Sequence, residues 1–297
     1  MFPKIITLFL LIHSHLVCNA QHLRDPSTVT HKDEIIQTER PIIYTFFELK
    51  KGLHHEYSSK PHENLLKAWT TLWTEAGWEP RILTLEDAKQ HPDYEKYKEA
   101  ISSVKNLYEG GYDFMCFMRW LAMAARGTGG WMSDNDVFPM GITPTEGLIL
   151  PNKGRFTGHE RHVPSLLSGS AEEWKRMAKD LLDFAAEESK HVDWFSDMNA
   201  LKMIHEQNPS EYIKMQNILN GFPYEAMGKV DCNLIGQFKA VHLAHMATHR
   251  AIDEGHIEYS GKPEDIGHLV ERMRPGLARK LYQEWNEQCS INIKAQA

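Results

Sequence analysis

The segment 114–125 constrains the fold more than any other, because it is apolar on all sides apart from Arg119. A helix with that pattern has to be buried between other layers of a protein. Four residues that include three glycines interrupt it at 127–130, and a short predicted strand, 131–133, then leads directly into Asp134 and Asp136. The sequence therefore predicts a layered domain in which two carboxylates follow a buried strand.

Strands and helices alternate along the rest of the chain. The apolar spacing predicts strands at 41–47, 81–85, 147–150 and 163–167, and helices at 65–76, 170–186, 196–206, 209–219 and 263–287, the last with a break at Pro275. This order favours an α/β fold with a mostly parallel central sheet flanked by helices. We see no linker long enough to divide the chain after residue 40, so residues 41–297 are expected to form a single domain.

The first twenty residues have the layout of a cleaved secretory signal. Lys4 precedes an apolar run at 5–12, and small residues lead up to Ala20. An uncleaved anchor is the alternative, but His13 and His15 interrupt the run and make it too short to span a membrane. Residues 21–40 are polar and are expected to be a linker or stem. The expected location is the secretory pathway (the Golgi lumen), or outside the cell.

Composition excludes several classes of protein. The 297 residues carry a net charge of −7 with no strongly basic domain, which disfavours a nucleic-acid binder. No apolar run reaches the ~20 residues of a membrane-spanning helix, which excludes a multi-span protein. Once Cys18 leaves with the signal, a bridge between Cys232 and Cys289 with Cys116 free is one possible pairing, and the sequence leaves the pairing open.

Asp134 and Asp136 are spaced to face one cation where a strand bends into a loop. Carboxylate oxygens suit Mg²⁺ or Mn²⁺, especially where substrate phosphates complete the shell. A plain polar turn is the alternative interpretation. Arg119 also requires a partner, because a guanidinium in a buried helix has lost its water. That partner is either a phosphate or sugar oxygen, or a carboxylate in a structural ion pair.

Arg119 followed by the run 129–137 (Gly-Gly-Trp-Met-Ser-Asp-Asn-Asp-Val) resembles the sugar-binding block of the DXD glycosyltransferases, and glycosyltransferase family 32 in particular. The segments 41–47 and 77–84 are similar to the first two strands of that family. The resemblance implies a GT-A-like (nucleotide-diphosphosugar transferase) fold and a Mn²⁺ or Mg²⁺ cofactor. It also implies a UDP- or GDP-hexose donor, a glycan or other hydroxyl acceptor on protein or lipid, and transfer with retention of configuration.

The resemblance also implies roles for individual residues. Asp134 would contact the ribose and sugar of the donor, Asp136 would bind the metal, and Arg119 would hold donor oxygens. Asp197 would be a catalytic residue whose carboxyl group lies near the acceptor or donor sugar, although a plain helix N-cap at the segment 196–199 is the alternative. Further candidates for the donor pocket are Asp113, Trp131, Ser168 and Gly169, with Trp194 and Phe195 as sugar-stacking rings that could equally belong to the core.

Three late histidines, His242, His245 and His249, are predicted to share one face of a helix. The resemblance favours His242 as a metal ligand, with His245 as the second candidate. If these histidines and the two aspartates instead formed one site, the protein would be a metal-dependent hydrolase. A catalytically inactive carbohydrate-binding relative is the third possibility.

Overall fold

Two sheets organise the computed structural model, which describes residues 39–49, 60–102, 111–191, 195–224, 229–258 and 266–289. The predicted signal, most of the predicted linker and Trp194 lie outside these residues. The described residues all belong to one compact unit, Glu39–Ala297. Within them, no helix has both the length and the apolar surface that a membrane span needs.

The strands are β1 Ile42–Phe46, β2 Glu79–Leu83, β3 Gly130–Ser133, β4 Val137–Pro139, β5 Thr157–Glu160, β6 Val163–Gly169, β7 Ile213–Lys214, β8 Ile218–Asn220 and β9 Ala240–His242. The helices are α1 Lys60–Glu75, α2 Leu85–Ala88, α3 Tyr94–Ser102, α4 Tyr112–Arg126, α5 Pro144–Leu148, α6 Ala171–Glu188, α7 Asp197–Gln207, α8 Cys232–Ile235, α9 His245–Asp253 and α10 Ile266–Gln288. Single 3₁₀ turns lie at Pro151–Gly154 and Ser189–His191.

The larger sheet has the strand order β2-β1-β3-β6-β5-β7. Only β6 runs antiparallel to its neighbours, and the pairs β1–β2, β1–β3 and β5–β7 are parallel. The smaller sheet has the order β4-β9-β8. A mixed α/β fold with a mostly parallel central sheet flanked by helices was predicted from the sequence, and it is confirmed.

Alternating residues of the larger sheet enter two separate hydrophobic clusters. Tyr44 and Met132 pack in the cluster that contains α4, α6 and α7, whereas their neighbours Ile43 and Trp131 pack in the cluster that contains α1 and α10. Successive side chains of a strand point to opposite faces, so the sheet is covered on each face. This arrangement explains why segment 114–125 is apolar all round: α4 lies inside the first of these layers.

Four sequence-based element predictions are wrong. The strand predicted at 147–150 is replaced by the helix α5, Pro144–Leu148, because Thr143 and Glu146 make a capping box with Pro144 at the first helical position. The predicted helix at 209–219 is instead β7 and β8, which pair with β5 and β9. The helix α10 continues through Pro275 without ending there. The fourth error concerns His242, which ends strand β9 rather than lying on a helix with His245 and His249.

Candidate functional site

The turn between β3 and β4 carries both aspartates of the Asp-x-Asp pair. The backbone N–H of Asp134 donates to the carbonyl of Ser165 on β6, at 2.8 Å, and the N–H of Val137 donates back to the carbonyl of Asp134, at 3.2 Å. The turn is therefore fixed at both ends by backbone hydrogen bonds. It moves the chain from the larger sheet to the smaller one and leaves the two carboxylates beside each other.

The register of the smaller sheet brings His242 to these aspartates. Val137 is paired with His242 across the antiparallel β4–β9 ladder, and the N–H of Leu243 donates to the carbonyl of Asp136 at 2.9 Å. His242 Nε2 consequently lies 3.4 Å from Asp136 Oδ1. One ligand atom from each of Asp134, Asp136 and His242 lies within 4.8 Å of the others.

This donor set fits a divalent cation. Two carboxylates and one imidazole, converging from a turn and a strand, are hard or borderline ligands of the kind that divalent cations accept. Arginines engage only one oxygen of each carboxylate: Arg119 Nη1 donates to Asp134 Oδ1, and Arg274 Nη1 donates to Asp136 Oδ2 at 2.7 Å. The second oxygen of Asp136, Oδ1, lies beside His242 Nε2, so a metal bound between these two atoms would take both as ligands.

The charges within this group perturb one another. Burial raises the pKa of Asp134, the charge of Arg119 opposes that rise, and repulsion from Asp136 adds to it. Burial alone would raise the pKa of Asp136, but the charge and hydrogen bond of His242, together with Arg274, outweigh it and hold that pKa below its usual value. For His242, burial is likewise outweighed, by Asp136 and Glu160, so its pKa is raised well above the ordinary value. A metal must displace a proton from this imidazole to bind it.

Arg119 joins two elements that are far apart in sequence. Its Nε donates to Asp197 Oδ2 at 2.9 Å and its Nη2 donates to the same oxygen, while Nη1 reaches Asp134. Trp120 Nε1 also donates to Asp197 Oδ2, at 3.0 Å. Asp197 begins α7, and Ser196, rather than Asp197, is the N-cap residue of that helix. The structure therefore shows Arg119 in an ion-pair network with two carboxylates. A carboxylate in a structural ion pair was the second of the two partners that the sequence left open.

Arg274 and Glu160 belong to this site and were missed by the sequence analysis. Arg274 comes from α10, is nearly buried, and has an Nε atom with no hydrogen-bond partner among the described residues. Glu160 lies at the end of β5 and accepts a hydrogen bond from His242 Nδ1 at 2.8 Å. No local signal marks either residue, since each is one charged residue in a stretch of mixed polarity. The packing of β5 against the smaller sheet brings Glu160 here, and the packing of α10 against β4 and α9 brings Arg274.

Other predicted donor-site residues lie in the core. The ring of Trp131 is stacked on His159 at 5.0 Å and meets Trp78 edge-on at 5.8 Å, and its Nε1 donates to the carbonyl of Gly147. Ser168 is fully buried, and its hydroxyl lies 3.0 Å from His159 Nε2. These contacts occupy both side chains, which corrects the expectation that they face a sugar.

The remaining candidates lie in different parts of the fold. A Cβ atom on Gly169 would lie 3.2 Å from the ring of Phe156, so this residue packs inside the sheet. Asp113 is buried in the first turn of α4, six residues and about 9 Å along the axis from Arg119. Phe195 is buried in the first hydrophobic cluster, as the core interpretation predicted. His245 is not part of the metal-ligand group formed by the described residues, because it lies on α9 beside His249, with ring centroids 4.8 Å apart.

Solved structures and one family of sequences are similar to this chain. A search of solved structures finds the apo-form glycosyltransferase GlyE of Streptococcus pneumoniae TIGR4, with a TM-score of 0.43 and 12% sequence identity. That alignment covers 82% of this chain and 63% of the GlyE chain, so this protein spans less than two thirds of the GlyE structure. No curated protein sequence matches.

A family of sequences described as "Domain of unknown function (DUF8765)" matches residues 29–223. The matched region includes Arg119, Asp134, Asp136, Glu160 and Asp197, and it ends before His242. The matched region therefore contains the turn between β3 and β4 and Arg119, which pairs with Asp134, but it ends before strand β9. Because the match extends over about two thirds of the sequence, the chain belongs to the DUF8765 family.

Proposed function

We propose that this protein is a metal-dependent glycosyltransferase with a GT-A-like fold that moves a hexose from a UDP- or GDP-linked donor to a hydroxyl acceptor on a glycan, protein or lipid. The convergence of Asp134, Asp136 and His242 at the end of β3 carries this proposal. The order of the surrounding residues, Arg119 and then the run 129–137, supports it through the resemblance to family 32 glycosyltransferases.

In this proposal Asp136 and His242 hold Mn²⁺ or Mg²⁺, and Asp134 contributes a further oxygen or contacts the donor. The metal would neutralise the charge that develops on a departing nucleoside diphosphate. Arg119 acts through Asp134, because its three guanidinium nitrogens are engaged by Asp134 and Asp197. Retention of configuration is carried over from the family resemblance alone.

The disulfide between Cys232 and Cys289 supports a site of action in the secretory pathway or outside the cell, since such bonds persist in oxidising compartments. The hydrolase alternative required His242, His245 and His249 to join the two aspartates in one site. We do not propose it, because of these three histidines only His242 belongs to the group with Asp134 and Asp136, whereas His245 and His249 lie on α9.

Isothermal titration with a panel of UDP- and GDP-hexoses, in Mn²⁺ and in excess EDTA, tests the proposal. We expect a donor to bind in Mn²⁺ and to lose its affinity in EDTA, and nucleoside diphosphate to be released on incubation. Donor binding without release would identify a carbohydrate-binding relative instead. Absence of nucleotide-sugar binding under all conditions would refute the proposed function.

The variant Asp136→Asn tests Asp136 as a metal ligand, because it replaces one candidate ligand oxygen and keeps the shape of the side chain. We expect Mn²⁺ affinity to fall by about 100-fold or more, beyond the 10–100-fold typical of residues that only support a ligand. Asp183→Asn is the control, since Asp183 lies on α6 and pairs with Lys179 on the surface. Equal Mn²⁺ affinity in the two variants would exclude Asp136 as a ligand.

A further inference from the structure

Glu160 is a buried carboxylate whose two oxygens both accept hydrogen bonds. Oε2 accepts from His242 Nδ1 at 2.8 Å and from the hydroxyl of Ser165, and Oε1 accepts from Asn220 Nδ2 at 2.7 Å. These three partners come from β9, β6 and β8, so Glu160 connects both sheets at the point where the candidate metal site lies. A buried carboxylate with this many donors is held in one orientation.

The backbone at the end of β5 aims this side chain. The pairing of β5 with β6 shifts between Gly158 and Glu160, so the strand is irregular just before Glu160. Irregularities of this kind redirect a side chain and are common beside functional sites. Arg161 then adopts a left-handed conformation, with φ of 53°, and ends the strand.

The hydrogen bond from His242 to Glu160 determines which ring nitrogen faces the aspartates. A carboxylate has no proton to donate, so Nδ1 must carry the hydrogen that Glu160 accepts. The other nitrogen, Nε2, then faces Asp136 at 3.4 Å. A metal-bound histidine is held in this way when its second nitrogen donates to a carboxylate, which fixes both the tautomer and the plane of the ring.

We propose that Glu160 is the positioning residue of the metal site, which keeps the proton of His242 on Nδ1 and presents Nε2 to a divalent cation shared with Asp134 and Asp136. This inference rests on the metal site of the proposed function. Ser165 and Asn220 contribute indirectly, because they donate hydrogen bonds to Glu160 rather than to His242.

Glu160→Gln tests the role with the smallest change of shape. The amide has a single acceptor oxygen, whereas Glu160 accepts from three donors, and an amide N–H turned toward His242 would place the ring proton on Nε2. We expect Mn²⁺ affinity, measured calorimetrically on the full chain, to fall by about 10–100-fold. Glu173→Gln is the matched control: Glu173 accepts from the backbone N–H of Phe156 and from Arg176, which are not ligand candidates, and its Mn²⁺ affinity should not change.

A spectroscopic measurement separates positioning from a loss of folded protein. In the Zn²⁺-loaded wild type, used as a diamagnetic stand-in, the Nδ1–H proton of His242 should give a downfield, slowly exchanging resonance. In Glu160→Gln that resonance should be lost while the backbone amide spectrum stays native. Wild-type protein that binds no Mn²⁺ would refute the metal site itself. If the wild type binds Mn²⁺ and Glu160→Gln keeps both the same Mn²⁺ affinity and the Nδ1–H resonance, the role of Glu160 is refuted but the metal site is not.

Discussion

Arg119 compensates the charges of two carboxylates, the buried Asp197 at the start of α7 and the partly exposed Asp134 on the β3–β4 turn. Arg119→Ala leaves both of them without their main partner. We expect the free energy of unfolding to fall by about 3–5 kcal/mol, as it does when one member of a buried ion pair is removed. Urea denaturation measures this change.

Arg126→Ala is the control for that experiment, because Arg126 is exposed at the end of the same helix and lies over the ring of Tyr44. A change of no more than about 1 kcal/mol is expected there. If Arg119→Ala proved as stable as Arg126→Ala and lost only donor binding, Arg119 would be a donor-binding residue, as the family resemblance implies.

Burial determines the charge state of His159 in the folded protein. Burial lowers its pKa from 6.5 to about 4, so the ring stays neutral in the folded protein while the unfolded chain takes up a proton at higher pH. The contribution of the neutral His159 ring to the free energy of unfolding is therefore complete above pH 6.5 and is lost as the pH falls toward 4. The expected loss is about 2 kcal/mol between pH 7 and 5 and about 3 kcal/mol by pH 4.

Denaturation of wild type and His159→Gln across this range tests the effect. Gln can still bond to Ser168 and Asn217, the two partners of the histidine, but it does not titrate. The difference in stability between the two proteins should shrink as the pH falls. A constant difference would mean that His159 carries an ordinary pKa.

At the scale of elements, the sequence predicted those whose signal is local. The apolar spacing gives α1 and α6, because each of these helices buries one face, and the uninterrupted apolar run gives α4, which is buried on all sides over 117–124. It failed for β7 and β8, which are two and three residues long and exist only because β5 and β9 pair with them. Such short strands are decided by their partners, and a helical spacing of apolar residues in 209–219 cannot reveal this.

The junction between α4 and β3 depends on close contact at one glycine. Gly129 has φ of +67°, and a Cβ atom there would lie 2.5 Å from the backbone nitrogen of Ala171. Gly127 has nearly the same φ, +66°, with nothing within 4 Å. Gly129→Ala and Gly127→Ala thus share the strain of a left-handed residue, about 1–2 kcal/mol, and differ only in the steric clash.

We expect Gly129→Ala to be less stable than Gly127→Ala by about 1–3 kcal/mol, the usual effect of forcing atoms into a packed interior. Thermal unfolding of the two variants, side by side, gives the difference. Equal melting temperatures would show that the start of β3 can move away from α6 without penalty.

At the scale of the whole molecule, the disulfide between Cys232 and Cys289 ties the end of α10 to α8 across a separation of 57 residues. Chain-entropy arguments give a loop of that size about 4 kcal/mol of stabilisation. We expect the double variant Cys232→Ser/Cys289→Ser to unfold at lower denaturant concentration by that order of free energy. Cys116→Ser is the control, because Cys116 is a free cysteine outside the bridge. Equal free energies of unfolding in the two variants would show that the disulfide does not stabilise the protein.

The candidate site was predictable in part. Asp134 and Asp136 are two residues apart in sequence and follow a recognisable strand, so their proximity is a local property. His242 was identified only through a resemblance, and its predicted position on a helix was wrong. Glu160 and Arg274 carry no signal of their own, because their contacts with His242 and Asp136 depend on how two sheets and a late helix pack.

The contacts of this site span most of the chain: Arg119 meets Asp197 at a separation of 78 residues, Glu160 meets His242 at 82, and Asp136 meets Arg274 at 138. Contacts so distant in sequence close large loops and form slowly during folding. A ribosome releases the chain N-terminus first, so Asp134 and Asp136 emerge long before α10. Until Arg274 arrives, Asp136 lacks its arginine, and a nascent chain holds the aspartates without the complete site. Capture of a divalent cation at full affinity would consequently mark the end of folding rather than its beginning.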